Sequence, residues 1–240
     1  MSGAGTLYLV PTTLGASEVA AAIPAAVQQR IRAIGYFIAE EPKRARAFLK
    51  ALRHPVPLAA IRIEKLDPSS SEERLDELLA PLLEGNDAGV VADAGAPAVA
   101  DPGASLVRRA HELNIRVNPL VGPSAILLAL MASGLEGQRF AFHGYLPVEE
   151  RALKAQLHGL EAASRRERRT EVFIETPYRN DRLLRAIVET CAADTLLCVA
   201  ADLSLPTETI VTRTVGEWSG GRRGIGKRPA VFLLLAQAKR

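Results

Sequence analysis

The chain alternates short apolar runs with amphipathic stretches. Thr6-Leu7-Tyr8-Leu9-Val10 is apolar without polar alternation and stops at Pro11, which predicts a strand buried on both faces, as in a parallel sheet. Residues 20–34 have helical composition and periodicity, with Pro24 near their start, and residues 36–38 predict a second strand. Apolar positions 45, 48, 49 and 52 mark an amphipathic helix over 43–52. Ser69-Ser70-Ser71 ahead of residues 72–83 predicts a capped helix, stopped by Gly85-Asn86. Gly89-Val90-Val91-Ala92 reads as another buried strand ending in Asp93, followed by a helix over 104–113 and a strand over 115–118. This β–α–β alternation implies a parallel sheet with crossover helices.

A second domain is expected to start where Pro119-Leu120-Val121-Gly122-Pro123 separates that strand from a helix over 124–131, dividing the chain into 1–119 and 120–240. Strands follow at 140–143, 172–175, 196–200, 209–214 and 231–235, with helices at 151–160 and 181–191. The later strands lie close together with little helix between them, so a mixed or largely antiparallel sheet is expected there.

Composition narrows the class. Of 240 residues, 48% are apolar and 24% charged, an ordinary globular mixture. No segment reaches the roughly 18 uninterrupted apolar residues of a membrane span, and the start lacks the basic and apolar regions of a secretory signal. Two cysteines, Cys191 and Cys198, make neither a disulfide framework nor a thiolate metal site. A cytoplasmic location, no membrane and no metal are therefore expected. The net charge of +3 is uneven: residues 1–120 carry 13 Lys/Arg against 14 Asp/Glu, and residues 121–240 carry 17 against 13. The densest basic stretch, Arg165, Arg166, Arg168 and Arg169, is diluted by Glu161, Glu167 and Glu171. Such a stretch suits nucleic-acid phosphates or a solvated helix end equally well.

Three glycine/proline turns follow predicted strands: Pro11-Thr12-Thr13-Leu14-Gly15, Asp93-Ala94-Gly95-Ala96-Pro97 and Gly122-Pro123-Ser124-Ala125. Ligands of open α/β sheets bind outside the carboxyl ends of strands, where small residues let the backbone approach them. Asp93 and Asp101 bracket the second turn. Asp101 fits a turn cap ahead of the next helix and a contact to a cationic or hydroxyl-bearing ligand group. Residues 221–228, Gly-Arg-Arg-Gly-Ile-Gly-Lys-Arg, approach a phosphate-binding loop but place Arg228 where Ser or Thr must hold magnesium. No Gly-x-Gly-x-x-Gly follows the first strand, and the four histidines (54, 111, 143 and 158) show neither metal-ligand spacing nor a serine-hydrolase partner.

In order and spacing, Leu7-Tyr8-Leu9-Val10-Pro11-Thr12, the 93–103 segment and Pro119-Leu120-Val121-Gly122-Pro123-Ser124-Ala125 resemble motifs of the tetrapyrrole methylase superfamily. The closest branch is the small-subunit ribosomal RNA ribose 2′-O-methyltransferases. Gly144-Tyr145-Leu146-Pro147, Glu175-Thr176-Pro177-Tyr178-Arg179 and residues 227–235 match later blocks, so the resemblance spans nearly the whole chain. It implies two consecutive α/β domains, the first with a parallel sheet and the second with a mixed one. It further implies an S-adenosylmethionine cleft between them and a homodimer. By the same resemblance Pro11 and Leu14 flank the cofactor, Gly95, Ala96, Val99 and Asp101 hold its amino-acid and ribose portions, and Ser124 and Ala125 begin the second domain's side. Thr176, Pro177, Asp202, Leu203, Pro229 and Ala230 are the expected adenine-side contacts.

One block departs from the pattern. Where the ribosomal RNA methylases carry Ala-Glu-Asp-Thr-Arg, this chain has Ala39-Glu40-Glu41-Pro42-Lys43-Arg44, and Ile61-Arg62-Ile63-Glu64 stands in place of a tyrosine-bearing substrate segment. Lys does not reproduce the planar fork of Arg, and Pro removes a backbone donor. Methyl transfer needs alignment of nucleophile, methyl and sulfur, and a hydroxyl acceptor benefits from a group that takes its proton. Glu40, Glu41, Tyr178 and Arg179 are the candidates. Each also has a structural role open to it: a helix cap for Glu40 or Glu41, sheet packing for Tyr178, and an ion pair with Glu175 for Arg179. The expected function is methylation of a ribose 2′-hydroxyl of ribosomal RNA. A small-molecule methyltransferase, on a tetrapyrrole-like or other metabolite, and a non-catalytic cofactor-binding module are the alternatives.

Overall fold

The computed structural model describes residues 3–15, 18–220 and 224–237; Gly221, Arg222 and Arg223 of the loop resembling a phosphate-binding motif lie outside them. The chain divides into two compact units, Met1–Ser124 and Ala125–Arg240. The expected boundary lay at 119/120, but the linker is bound to the first unit: Leu120 donates its N–H to Leu9 O (3.0 Å), and Gly122 lies tight against Pro11.

The first unit runs β1 (Thr6–Val10), α1 (Val19–Ala22), α2 (Ala25–Arg32), β2 (Tyr36–Ala39), α3 (Pro42–Ala51), β3 (Arg62–Lys65), α4 (Glu72–Leu83), β4 (Ala88–Val91), α5 (Gly103–Glu112) and β5 (Arg116–Pro119). The strands form a parallel sheet in the order β3-β2-β4-β1-β5. Because strand side chains alternate between faces, the inner strands β1, β2 and β4 each feed two cores. Tyr8, Val10, Phe37, Ala39 and Val91 pack with Ile23, Ile31, Phe48 and Leu49 on one side. Leu7, Tyr36, Ile38, Ala88 and Val90 pack with Leu75, Leu78, Leu79, Leu82 and Leu106 on the other. Gly89 makes room for the first of these cores, since a Cβ there would lie 2.8 Å from Phe37 Cδ1 and 3.0 Å from Val10 Cγ2.

Two expectations are corrected in this unit. The helix over 20–34 is two helices, because Pro24 lacks the N–H a continuous helix needs and stands as the N-cap of α2. Residues 62–65, not foreseen as a strand, form β3 at the sheet edge, where one paired side tolerates the polar Arg-Ile-Glu-Lys pattern.

The second unit comprises α6 (Ala125–Ser133), β6 (Phe140–Tyr145), α7 (Glu150–Glu167), β7 (Thr170–Glu175), a 3-10 turn (Pro177–Arg179), α8 (Asn180–Thr190), β8 (Leu196–Ala201), β9 (Thr209–Thr214), α9 (Val215–Ser219) and β10 (Ala230–Leu235). Its sheet is mixed, in the order β6-β7-β10-β8-β9, with only β6 and β7 parallel. Phe173, Leu197, Val199, Phe232 and Leu234 face Leu153, Leu157, Leu160, Leu183 and Ile187 of α7 and α8, while α6 packs on β8, β9 and β10. The helix expected over 151–160 continues to Glu167, so Arg165 and Arg166 form its last turn, where cations suit the helix dipole. The short α9, with its Thr214/Glu217 capping box, was not foreseen.

Candidate active site

All five strands of the first sheet point the same way, so their following loops share one edge. The loop after β1 leads to β2 on one side of β4, whereas that after β4 leads to β5 on the far side of β1. Adjacent strands whose connections diverge open a crevice at their carboxyl ends.

The three glycine/proline turns meet there. Thr12 N donates to Gly95 O at 2.9 Å, and the buried Thr12 hydroxyl donates to Ala92 O at 3.2 Å, tying the first turn to the second. Gly95 has φ 71°, and a Cβ on it would sit 2.9 Å from Leu14 Cδ2 and 3.3 Å from Pro123 O. A Cβ on Gly122 would lie 2.3 Å from Pro11 Cβ. Gly95 thus lies against Leu14 and Pro123, and Gly122 against Pro11, so glycine suits both positions.

The second turn is wound tightly. Besides Gly95, Ala98 (φ 63°) and Ala100 (φ 59°) adopt the left-handed conformation, which costs residues with a Cβ roughly 1–2 kcal/mol each. Asp101 Oδ1 holds the winding by accepting from Ala98 N and Gly103 N, both at 2.8 Å. The turn-cap role foreseen for Asp101 is therefore present, Gly103 N being at the start of α5. Ala96 is half-buried and Val99 exposed on the same loop.

An acidic rim surrounds these turns. Burial raises the Asp101 carboxyl above the ordinary range, with Asp93 adding to the rise against the two backbone donors. Glu40, directly after β2, is raised by burial first and then by Asp93 and Asp101, with Arg44 opposing. Arg44 Nη1 reaches Asp93 Oδ2 at 3.2 Å. Glu41, the next residue, is instead a helix cap. Its Oε1 accepts from Lys43 N at 3.2 Å as the N-cap of α3, with Pro42 at the first helical position. The altered block is accordingly a sound helix start, since that position needs no N–H.

In the second unit the assigned residues gather where β7 ends and β10 begins, Glu175 being the register partner of Ala230. Thr176 and Pro177 open the 3-10 turn. Glu175 Oε1 accepts from Thr176 N (2.6 Å) and from Arg179 Nε and Nη2 (2.9 and 2.5 Å), so Arg179 has the ion pair considered for it. Tyr178 packs against no sheet; its side chain is 80% exposed. Buried Asp202 adopts φ 54°, donates its N–H to Pro229 O (2.9 Å) and accepts from the Thr207 hydroxyl (2.9 Å). Leu203 and Ala230 are buried beside these loops, and Pro229 is exposed. Ser124 closes the first unit and Ala125 starts α6.

Several residues of consequence were not singled out beforehand. Thr12 welds two loops, and its signal is a hydroxyl in a turn after a buried strand. Buried Asn180 donates to Gly226 O and Arg228 O at 3.0 and 2.7 Å, while Asp181 Oδ1 accepts from Ile225 N and Gly226 N at 2.7 and 3.2 Å. The Asn-Asp pair at a helix start is the mark that could have found them. Buried Glu171 joins His143 Nε2 (2.6 Å) to Arg169 Nε (2.8 Å), a network that no local pattern announces. Cys191 and Cys198 are buried thiols, Cys191 pushed up to about 12 by burial and so unreactive. Among the described residues no group of three or more His, Cys, Asp or Glu is placed to hold a metal, and no helix is long and apolar enough to cross a membrane.

A parallel sheet whose carboxyl-end turns meet backbone to backbone beneath an acidic rim, followed by a separate mixed-sheet unit, defines a protein of two consecutive α/β units. The chain belongs to the tetrapyrrole (corrin/porphyrin) methylases: the model of that family matches residues 6–218. It is 34% identical over 213 residues to the ribosomal RNA small subunit methyltransferase I of Escherichia coli O157:H7, covering 89% of this chain and 70% of that protein. It is 32% identical to the protein of the same name from Xylella fastidiosa, covering 90% and 74%. Among solved structures, the methyltransferase CobJ superposes with a TM-score of 0.63 at 19% identity, covering 100% of this chain and 96% of that one, a likeness of fold. The chain is a methyltransferase, which sets aside the non-catalytic module.

Proposed function

We propose that this chain transfers a methyl group from S-adenosylmethionine to a ribose 2′-hydroxyl of ribosomal RNA. The observation that carries the reading is the set of relatives named ribosomal RNA small subunit methyltransferase I, 30–34% identical over most of the chain. When bound, the cofactor supplies an electrophilic methyl group on a sulfonium centre. The first unit's turns suit it: Pro11, Leu14, Gly95, Ala96 and Val99 offer close backbone approach, and Glu40, Asp93 and Asp101 present negative charge to a ligand with a net positive one. Ser124, Ala125, Thr176, Pro177, Asp202, Leu203, Pro229 and Ala230 complete the proposed binding set. The left-handed Ala98, Ala100 and Asp202 support it, because strained backbone concentrates at ligand sites.

In this reading Glu40 takes the proton of the attacking hydroxyl. Its raised carboxyl makes it a better base than an exposed glutamate, whereas Glu41 and Arg179 are engaged in capping and pairing. With the cofactor bound, Glu40 Oε would accept the proton that the hydroxyl releases as its oxygen takes the methyl group. The chain contributes alignment foremost.

Titration calorimetry with S-adenosylmethionine and S-adenosylhomocysteine, followed by radiolabelled methyl transfer to ribosomal RNA from cells lacking the gene, tests the reading. Micromolar binding of both and an alkali-resistant methylated dinucleotide are expected. No detectable binding by folded protein would remove the cofactor assignment, and label on a base would remove the ribose assignment. The altered 39–44 block favours a second reading, a small-molecule acceptor. Transfer to a low-molecular-weight cell extract with none to RNA would establish it.

A further inference from the structure

We propose that Tyr178 and Lys227 form a docking platform for one unpaired nucleotide of the RNA substrate, the base stacking on the ring and the ammonium meeting its phosphate. The inference rests on the ribosomal RNA reading above and assigns a substrate-binding site within it. Tyr178 is the most exposed of the large apolar side chains among the described residues, at 80%. A tyrosine so placed adds little to folding, since most of its surface stays in water.

Its setting is nevertheless rigid. The turn that carries it is bolted at its base by Glu175, which binds Thr176 N and the Arg179 guanidinium. The loop facing it is bolted by Asn180 and Asp181, which between them hold Ile225 N, Gly226 N, Gly226 O and Arg228 O. Between these two clamped segments Lys227 Nζ stands 5.1 Å from the centroid of the Tyr178 ring. One ammonium over one face of an otherwise exposed ring matches the chemistry of a nucleotide, which offers a flat π face and a negative phosphate a few ångströms apart.

Within the densest basic stretch, Arg165, Arg166 and Arg169 are already engaged in ion pairs. Arg165 pairs with Glu161, Arg166 with Glu167, and Arg169 with Glu167 and Glu171. Arg228, next to Lys227, is held by Ile225 O and lies 3.6 Å from Asp202. Lys227 instead meets an aromatic face. The platform also adjoins the residues assigned to the cofactor: Pro177 precedes Tyr178, and Pro229 lies two residues after Lys227.

The test is fluorescence anisotropy with single-stranded oligoribonucleotides tiling small-subunit ribosomal RNA, in saturating S-adenosylhomocysteine. S-adenosylhomocysteine affinity by calorimetry serves as the folding control. Tyr178→Ala should weaken RNA binding about tenfold, as loss of one stacked base does, with cofactor affinity unchanged. Tyr178→Phe should keep wild-type affinity, because stacking needs the ring and not the hydroxyl. Lys227→Gln should lower the salt dependence of binding by about 0.7 in log–log slope, one phosphate's share for a single strand. Equal RNA affinity of wild type and Tyr178→Ala overturns the platform and leaves the RNA reading intact. So does a Tyr178→Ala variant that loses S-adenosylhomocysteine as well, since its ring then belongs to the cofactor pocket. Failure of the wild type to bind any RNA overturns the RNA reading, and the platform with it.

Discussion

Gly95 shows how one position is constrained twice, by its φ of 71° and by Leu14 and Pro123 at the distances a Cβ would violate. Gly95→Ala should cost about 1–2 kcal/mol of stability and lower S-adenosylmethionine affinity roughly tenfold or more by parting the three turns. Calorimetry giving unchanged affinity would show that they do not line the cofactor. Glu40 is constrained electrostatically: burial, Asp93 and Asp101 hold its carboxyl above the ordinary range. The native state therefore binds this proton more tightly than the unfolded one, and the group's contribution to stability falls as pH rises from the unfolded value through the raised native one. Glu40→Gln removes that burden. Its Tm should match wild type near about pH 4 and exceed it near about pH 7, read by calorimetric melts. If Glu40 is the base, the same variant should lose about 100-fold or more in kcat, so stability and activity move in opposite directions. A variant as active as wild type would return Glu40 to a purely electrostatic role.

Elements of the second unit are joined by a few buried polar groups. Glu171, fully buried on β7, is shared between His143 of β6 and Arg169. Glu171→Ala leaves both partners unmatched. Because those partners are partly exposed, the cost should lie at or below the low end of the range for broken buried pairs, about 2–3 kcal/mol by urea denaturation. Asn180 bridges the start of α8 to the loop before β10, and Asn180→Ala should cost about 1–3 kcal/mol. A cost within about 0.3 kcal/mol would mean that water replaces its two donors. Element types and centres were largely legible, because each is written in a local period of apolar residues. Thr209–Thr214 and Glu72–Leu83 were placed to the residue. The break at Pro24 and the edge strand β3 were not, since a proline near a helix start permits two structures and the polar Arg-Ile-Glu-Lys pattern of β3 lacks a buried strand's apolar run.

For the molecule as a whole, charge is the property that sequence carries without loss. Residues 121–240 hold 17 Lys/Arg against 13 Asp/Glu, whereas residues 1–120 are nearly balanced. If the RNA reading holds, affinity for ribosomal RNA should fall linearly in log–log with added salt, by about 0.7 per phosphate neutralised on a single strand. Cofactor affinity should fall far less. Filter binding across a salt series checks this, and a flat RNA profile would argue against phosphate contacts. What charge counting could not foresee is which cations remain open. The run at Arg165–Arg169 is largely committed to Glu161, Glu167 and Glu171, while a lone lysine beside an exposed tyrosine is better placed for a partner.

By itself the sequence determined the alternation of strands and helices, the parallel first sheet and mixed second one, the three turns after buried strands and the family. All of these are written in local order, in hydrophobic period, turn residues and motif spacing. Tertiary structure alone decided that Leu14, Gly95 and Pro123 meet, and that Glu41 caps a helix while Glu40 stays on the acidic rim. It also decided that His143 reaches Glu171 and that Tyr178 stands open beside Lys227. Those contacts depend on strand order and register, which bring together residues up to about a hundred positions apart, and no local pattern carries that information.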